Sequence, residues 1–225
     1  MNWKIFWNTQ AQVNDPRAQV GRQVSGSLHA DDLMDKIADK IATQIQLKMS
    51  DDLLDVCCGN GILTRKLAVR CNSVSAIDFS EVLIANARTE EIDKITWYCD
   101  DAYDFNLEKR FDKILLYFSF QYFETNEKAE QVIECLTNHL KPGGIILLGD
   151  IPDAAYKWTY YDTPLKRFFA IWSQLKGKNN MGRFWKKESL VKICEKHGLT
   201  AEIHSQENWQ PYAWYRFDLL AYSKK

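Results

Sequence analysis

Apolar and polar positions follow two different periods along this chain, and the two alternate repeatedly. Short apolar runs bounded by charge or by Gly, Asn and Asp lie at Leu53–Cys57, Ser73–Asp78, Ile95–Cys99, Phe111–Phe118 and Ile145–Leu148, each the length of a buried strand. Between them apolar residues recur at helical spacing: Leu33, Ile37, Ile41 and Ile45, then Leu63, Leu67 and Ala68, then Val82, Leu83 and Ala87, then Val132, Ile133, Leu136 and Leu140. Start and stop signals agree with these periods. Asp31 and Asp32 open the first helix, Ser80 caps the third, Thr125 or Asn126 caps the fourth, and Lys141-Pro-Gly-Gly144 ends it. A further helix is predicted over Glu188–His197 with Gly198 closing it, and Leu199–His204 and Tyr212–Tyr222 alternate as two last strands. Strand and helix in turn predict an α/β fold: a doubly wound, mostly parallel seven-stranded sheet with helices on both faces.

The stretch Asp51–Ala68, DDLLDVCCGNGILTRKLA, carries the first chemistry. A buried strand runs through Gly59 and Gly61 into a helix opening at Ile62, an arrangement suited to a nucleotide-like cofactor. A dinucleotide fingerprint wants a third small residue where this chain has Thr64. Asp55, four residues before Gly59, would repel a pyrophosphate but can hold an ammonium group, directly or through a water. S-adenosylmethionine, with an amino-acid head, a sulfonium and a ribose but no phosphate, fits this pattern better than NAD. About twenty residues on, Asp78 ends the next strand, where a carboxylate can accept from both ribose hydroxyls, and Phe79 beside it can cover an adenine face.

With Asp55-Val-Cys-Cys-Gly59-Asn-Gly61, an acid closing the second strand, and Leu-Lys-Pro-Gly-Gly before the fifth, the chain resembles the class I (Rossmann-like) S-adenosylmethionine-dependent methyltransferases over residues 31–151. The resemblance implies a Rossmann-like methyltransferase fold with one of the last two strands antiparallel, and release of S-adenosylhomocysteine as product. It implies a ribose role for Asp78, an adenine-amino role for Asp101 (with Asp100 one position away), and a ring-facing amide at Ala102. Cys57 supplies the small side chain needed in the glycine turn. In relatives the exit of the fourth strand frames the transferring methyl, which here points to Tyr117, Gln121 and Tyr122. The Gly149-Asp-Ile-Pro turn, the Met181-Gly-Arg-Phe-Trp run and the late Tyr-Arg-Phe-Asp strand look like those of bacterial surface-polysaccharide methyltransferases, which implies a sugar hydroxyl as acceptor.

Composition narrows the setting. The 225 residues carry a net charge of −1 and are 46% hydrophobic, which describes one ordinary core without a global pull towards nucleic acid. Six cysteines without a C-x-x-C pair, and no signal-like start, predict reduced thiols in a cytoplasmic protein. No His/Cys/acid spacing suggests a metal site. Residues 1–30 form an arm too irregular for a defined element; as a lid, it would bring Arg22 to the cofactor carboxylate or a substrate phosphate. Residues 31–225 form the methyltransferase domain, interrupted at about 152–187 by a basic, aromatic insertion. There Pro164 opens an amphipathic helix with Leu165, Phe168, Phe169, Trp172 and Leu175 on one face. Three readings of it compete: a lid whose aromatics pack on the domain, a pocket for an anionic acceptor, and a contact with an anionic membrane; RNA is a weaker fourth, since no RNA module accompanies it.

Methyl transfer to a hydroxyl needs a proton acceptor. Asp150, at the end of the fifth strand, is the first choice, with His204 and His29 as alternatives. Two other functional classes stay open at this level: a NAD-dependent oxidoreductase, against which Asp55 and Thr64 count, and a non-catalytic methyltransferase-like binding subunit, against which the intact Asp55, Gly59, Gly61 and Asp78 count.

Overall fold

Side chains along a strand point alternately to opposite faces, so a sheet covered on both sides needs apolar residues at nearly every position. That is how the central strands are built. In the computed structural model, which describes residues 1–21, 23–24, 27–28, 31–90, 92–176 and 181–224, seven strands form one sheet: β1 (Asp52–Val56), β2 (Ser73–Asp78), β3 (Ile95–Cys99), β4 (Phe111–Tyr117), β5 (Leu140–Pro152), β6 (Thr200–Ser205) and β7 (Arg216–Tyr222). Their order is β3-β2-β1-β4-β5-β7-β6, with β7 antiparallel to both neighbours and the other pairings parallel. Order reverses beside β1, so a crevice opens there at the carboxyl ends of β1 and β4, where ligands of open α/β sheets bind.

The two faces hold two separate cores. Leu54, Val56, Ile114, Leu116, Ile146 and Leu148 face one way, against α6 (Asn126–Asn138) and α9 (Lys187–Lys196). Leu53, Leu115, Ile145 and Leu147 face the other, against Met34, Ile37 and Ile41 of α3 (Asp31–Gln44) and Leu63 and Leu67 of α4 (Ile62–Ala68). Helix α5 (Glu81–Ala87) starts at the Ser80 cap, whose hydroxyl accepts from the Leu83 amide, and buries Leu83, Ile84 and Ala87; Ile84 takes the inward place expected of Val82.

Three segments differ from the pattern-based expectation. The residues before Arg22 are helical, with α1 (Trp3–Gln10) and α2 (Pro16–Gln19) started by the side-chain caps Asn2 and Asp15. Caps and aromatic anchors, not a periodic stripe, define these helices, which is why periodicity missed them. The strand expected at Ile145–Leu148 is longer: Leu140 already pairs with Phe111 and Ile145 pairs with Lys113, so Lys141–Gly144 bulges out opposite Asp112. Last, helix α8 (Pro164–Leu175) forms where the pattern placed it, but its apolar residues are exposed and do not pack on the domain.

A second irregularity in β5 shapes the crevice. Leu148 pairs with Leu219 and Ile151 with Phe217, leaving Gly149 and Asp150 as a bulge opposite Asp218. Asp150 is in the left-handed region (φ 61°), and its amide donates to Asp218 Oδ1 at 2.9 Å. Fully buried Asp218 also accepts from Lys40 Nζ (3.1 Å), Gln44 Nε2 (3.3 Å) and Gln206 Nε2 (3.0 Å), tying α3 and the β6–β7 connection to the bulge. At Gly149 a Cβ would stand 2.0 Å from the Tyr117 ring, so only glycine lets Tyr117 lie across the end of β5. The change Gly149→Ala is expected to cost about 1–3 kcal/mol through overpacking and to lower the thermal midpoint by roughly 3–10 °C, measured by calorimetry against the parent chain.

Candidate active site

At the carboxyl ends of β1, β2 and β4 the structure has a cavity of about 480 Å³, a size that encloses a drug-sized ligand. Its floor is laid by strand ends that turn abruptly. Cys57 after β1 and Phe118 after β4 both adopt left-handed backbone conformations (φ 61° and 70°), which side chains tolerate poorly and which mark ligand-facing turns. Gly59 and Gly61 continue the turn with φ 59° and 77°. A Cβ on Gly61 would lie 2.3 Å from the Trp97 ring, and one on Gly59 would lie 2.9 Å from Val20 of the arm. The glycines thus let neighbouring side chains close on the turn, a packing role beyond the approach of a ligand.

Two buried carboxylates face this cavity. Asp55 is 3% exposed, and Asp78 is 5% exposed. Asp55 Oδ2 accepts from Thr64 Oγ1 at 2.6 Å. Asp78 accepts from the amides of Gly59 (Oδ2) and Ser80 (Oδ1), each at 2.9 Å. Neither forms an ion pair among the described residues. Burial pushes Asp55 up to about 7 against the relief given by Thr64, with Asp78 raising it further. Burial likewise pushes Asp78 up to about 6, although the two amides favour its charge. Such acids lack only a cation and a pair of hydroxyl donors. Burial also keeps the Cys57 and Cys58 thiols protonated, in line with a packing role.

The remaining residues expected at the cofactor fall as follows. Phe79, Asp101, Ala102 and Tyr117 line the cavity. Ala102 is buried and Asp101 is exposed at the rim, where its carboxylate accepts from the Tyr103 amide at 3.2 Å. Arg22 and His29 lie outside the described residues. Helix α1 roofs the cavity with Trp3 and Trp7, whose rings pack on Tyr122 at 4.4 and 5.6 Å. Asn60, between the two glycines, donates to Pro16 O (2.7 Å) and Gln19 Oε1 (2.8 Å), fastening α2 to the cofactor turn. Sequence reasoning missed both Thr64 and Asn60. Thr64 stood where a third glycine was sought, and a hydroxyl nine residues from an acid carries no local signal.

A second cavity of about 120 Å³ adjoins the first, and Trp7, Val20, Phe118 and Tyr122 line both. Gln121, Asp150 and Arg216 face it. Asp150 is the one acid among its described lining residues, and lies in this neighbouring space, away from the larger cavity. Its Oδ2 accepts from Arg216 Nη1 at 2.7 Å and its Oδ1 from Gln206 Nε2 at 3.2 Å. His204 sits on the edge strand β6 near Glu202 and lines neither cavity. The reason is topological: β6 is the far edge of the sheet, four strands from β1.

A seven-stranded sheet with one antiparallel strand, a glycine turn after β1 and acids at the carboxyl ends of β1 and β2 give the Rossmann-like fold shared by class I S-adenosylmethionine-dependent methyltransferases. Comparison with known proteins agrees: residues 53–144 match the methyltransferase domain family. The chain is 27% identical over 165 residues to malonyl-[acyl-carrier protein] O-methyltransferase of Bacillus cereus, covering 69% of this chain and 56% of that protein. It therefore spans about half the length of the curated relatives it matches. Among solved structures, the N-methyltransferase NodS of Bradyrhizobium japonicum with S-adenosylhomocysteine superposes with a TM-score of 0.69 at 19% identity, over 100% of this chain and 99% of that one. A S-adenosylmethionine-dependent methyltransferase from Clostridium acetobutylicum gives 0.65 at 19% identity, over 88% and 93%. S-adenosylmethionine is the cofactor of this class. The unpaired acids fit it: Asp55 would hold the ammonium head and Asp78 the ribose diol.

Two opposed pH effects follow. Both acids keep their protons to higher pH in the fold than in the unfolded chain, where the ordinary value is 3.8, so they weaken the ligand-free fold as pH rises through about 6 to 7. A cationic ligand binds their ionised forms, so affinity for S-adenosylhomocysteine should rise over the same interval and level off above it, as measured by titration calorimetry. At about pH 8, Asp55→Asn is expected to weaken that binding by roughly 10–100-fold, yet to raise the ligand-free thermal midpoint by roughly 2–4 °C. A lowered midpoint together with unchanged affinity would contradict both statements.

Proposed function

We propose that this protein transfers a methyl group from S-adenosylmethionine to a hydroxyl of a small polar acceptor, a sugar or nucleotide-linked sugar, seated in the cavity beside Asp150. The supporting observation is a pair of unanswered polar atoms there. Gln121 Oε1 is buried without a donor, and Arg216 Nε is buried without an acceptor, among the described residues. A hydroxyl donates to the first, while an adjacent oxygen accepts from the second, which is the pattern of neighbouring hydroxyls on a sugar or of a hydroxyl beside an anionic oxygen.

When bound, S-adenosylmethionine supplies an electrophilic methyl on a sulfonium, a very good leaving group. The chain's own task is alignment, exclusion of water and removal of one proton. Tyr122, Trp7 and Phe118 stand at the boundary of the two cavities and keep the transfer path apolar. Asp150 takes the acceptor proton. The proton leaves as the acceptor oxygen gains the methyl and its O–H acidifies. Arg216, held by both the Asp150 carboxylate and its carbonyl (2.6 Å), orients the acceptor.

The test incubates the full chain with methyl-labelled S-adenosylmethionine and a panel of sugars, nucleotide sugars and, because relatives carry that name, malonyl thioesters. Label on a sugar hydroxyl is expected. The change Asp150→Asn should lower kcat by roughly 10²-fold or more and leave S-adenosylhomocysteine affinity within about twofold. Label only on the thioester carboxyl would reassign the acceptor. Binding of NAD in place of S-adenosylmethionine would sink the methyl-transfer reading, and cofactor binding without transfer to any acceptor would favour a non-catalytic role.

A further inference from the structure

We propose that helix α8 is an interfacial helix that docks this protein on an anionic lipid surface. Leu165, Phe168, Phe169, Ile171, Trp172 and Leu175 are each between 47% and 81% exposed. At about 100° per residue they occupy one arc of about 160°, and the rest of the helix holds Lys166, Arg167, Ala170, Ser173 and Gln174 without an acid. The helix forms independently of that stripe. Thr163 caps it, Pro164 opens it, and Arg167 clamps its first turn to the carbonyls of Tyr161 (2.9 Å) and Trp158 (3.1 Å). It is thus held at its base, with its apolar side turned outwards.

Charge selects the occupant. Among the described residues 157–187 the one acid is Asp162, paired with Lys166. Lys187 pairs with Asp153 and Arg183 bonds Asn126 and the Glu124 carbonyl, which leaves Lys157, Lys166, Arg167, Lys176 and Lys186 as the basic groups around α8. A second copy of this face would bring two basic surfaces together. Nucleic acid answers the charge but offers no nonpolar phase for Leu165, Ile171 or Leu175. Anionic lipid answers both, with the stripe at the acyl boundary and the Lys and Arg heads among the phosphates. Exposed Trp158, Tyr156 and Trp214 extend the surface with side chains suited to the headgroup level. The patch is continuous with the second cavity: Tyr160 packs on Tyr215 at 5.0 Å, and the next residue is Arg216.

Sedimentation of the full chain with vesicles tests this. Phosphatidylcholine vesicles containing phosphatidylglycerol should retain it roughly tenfold better than phosphatidylcholine alone, and salt should reduce the difference. The double change Phe168→Asp and Trp172→Asp should weaken retention roughly tenfold or more, while calorimetry with S-adenosylhomocysteine shows the fold intact. Lys166→Gln with Lys176→Gln, at exposed positions that cannot unfold the chain, should remove the preference for anionic vesicles. No retention on anionic vesicles, equal retention on neutral ones, or an unaffected double variant would overturn the proposal. So would a concentration-dependent dimer that the Asp variants dissolve, which would assign the face to a second copy.

Discussion

Two ionisable carboxylates taken out of water without a countercharge are the constraint around which this fold is arranged. Asp55 and Asp78 end adjacent parallel strands, and strand register fixes both at the crevice: Asp55 pairs with Ala76, two residues before Asp78. A buried charge without a partner is costly, and here each acid is given hydrogen bonds that orient it but leave it unneutralised. The glycine turn supplies one of those donors, the cap of α5 another, and α4 the third. Ligand-free, the site carries the cost of burying both acids. A cation and a diol placed against these acids would relieve that desolvation, and the same charge would disfavour a phosphate-bearing dinucleotide.

The far side of the crevice follows a different logic. There the charges are satisfied internally, through Asp218, Lys40, Gln206, Asp150 and Arg216. This network holds β5 in a bulge, turns Asp150 out of the strand register and keeps Tyr117 flat against Gly149. Among the described residues, the buried polar atoms left without partners around it are the side-chain oxygens of Gln44, Gln121 and Gln206 and the Arg216 Nε. One crevice thus offers net negative charge on one side and neutral, directional hydrogen bonding on the other. That division suits a cationic cofactor meeting an uncharged nucleophile.

The covering elements join these halves. Helices α1 and α2 contribute almost nothing to either core, yet Trp3, Trp7 and Val20 reach the cavities and Asn60 fastens the arm to the glycine turn. Helix α8 stands apart from them and turns its stripe to solvent. The chain thus seals its chemistry with one amphipathic segment and exposes another.

The periods of hydrophobic positions were enough to determine the doubly wound class, since strands buried on both faces must be continuously apolar and crossover helices must carry a stripe. Local spacing likewise singled out Asp55, Gly59, Gly61 and Asp78, of which Asp55, Gly59 and Asp78 line the larger cavity, because a strand–turn–helix–strand unit is built from near neighbours in sequence. What local spacing could not carry was any relation across the sheet. Thr64 on Asp55, Asp218 beneath Asp150 and Arg216 beside it are brought together by register and a bulge, and His204 was excluded by strand order alone. Whether the stripe of α8 lay inwards or outwards was equally beyond the pattern. A period tells which residues share a face, and only the packed neighbours decide what that face meets.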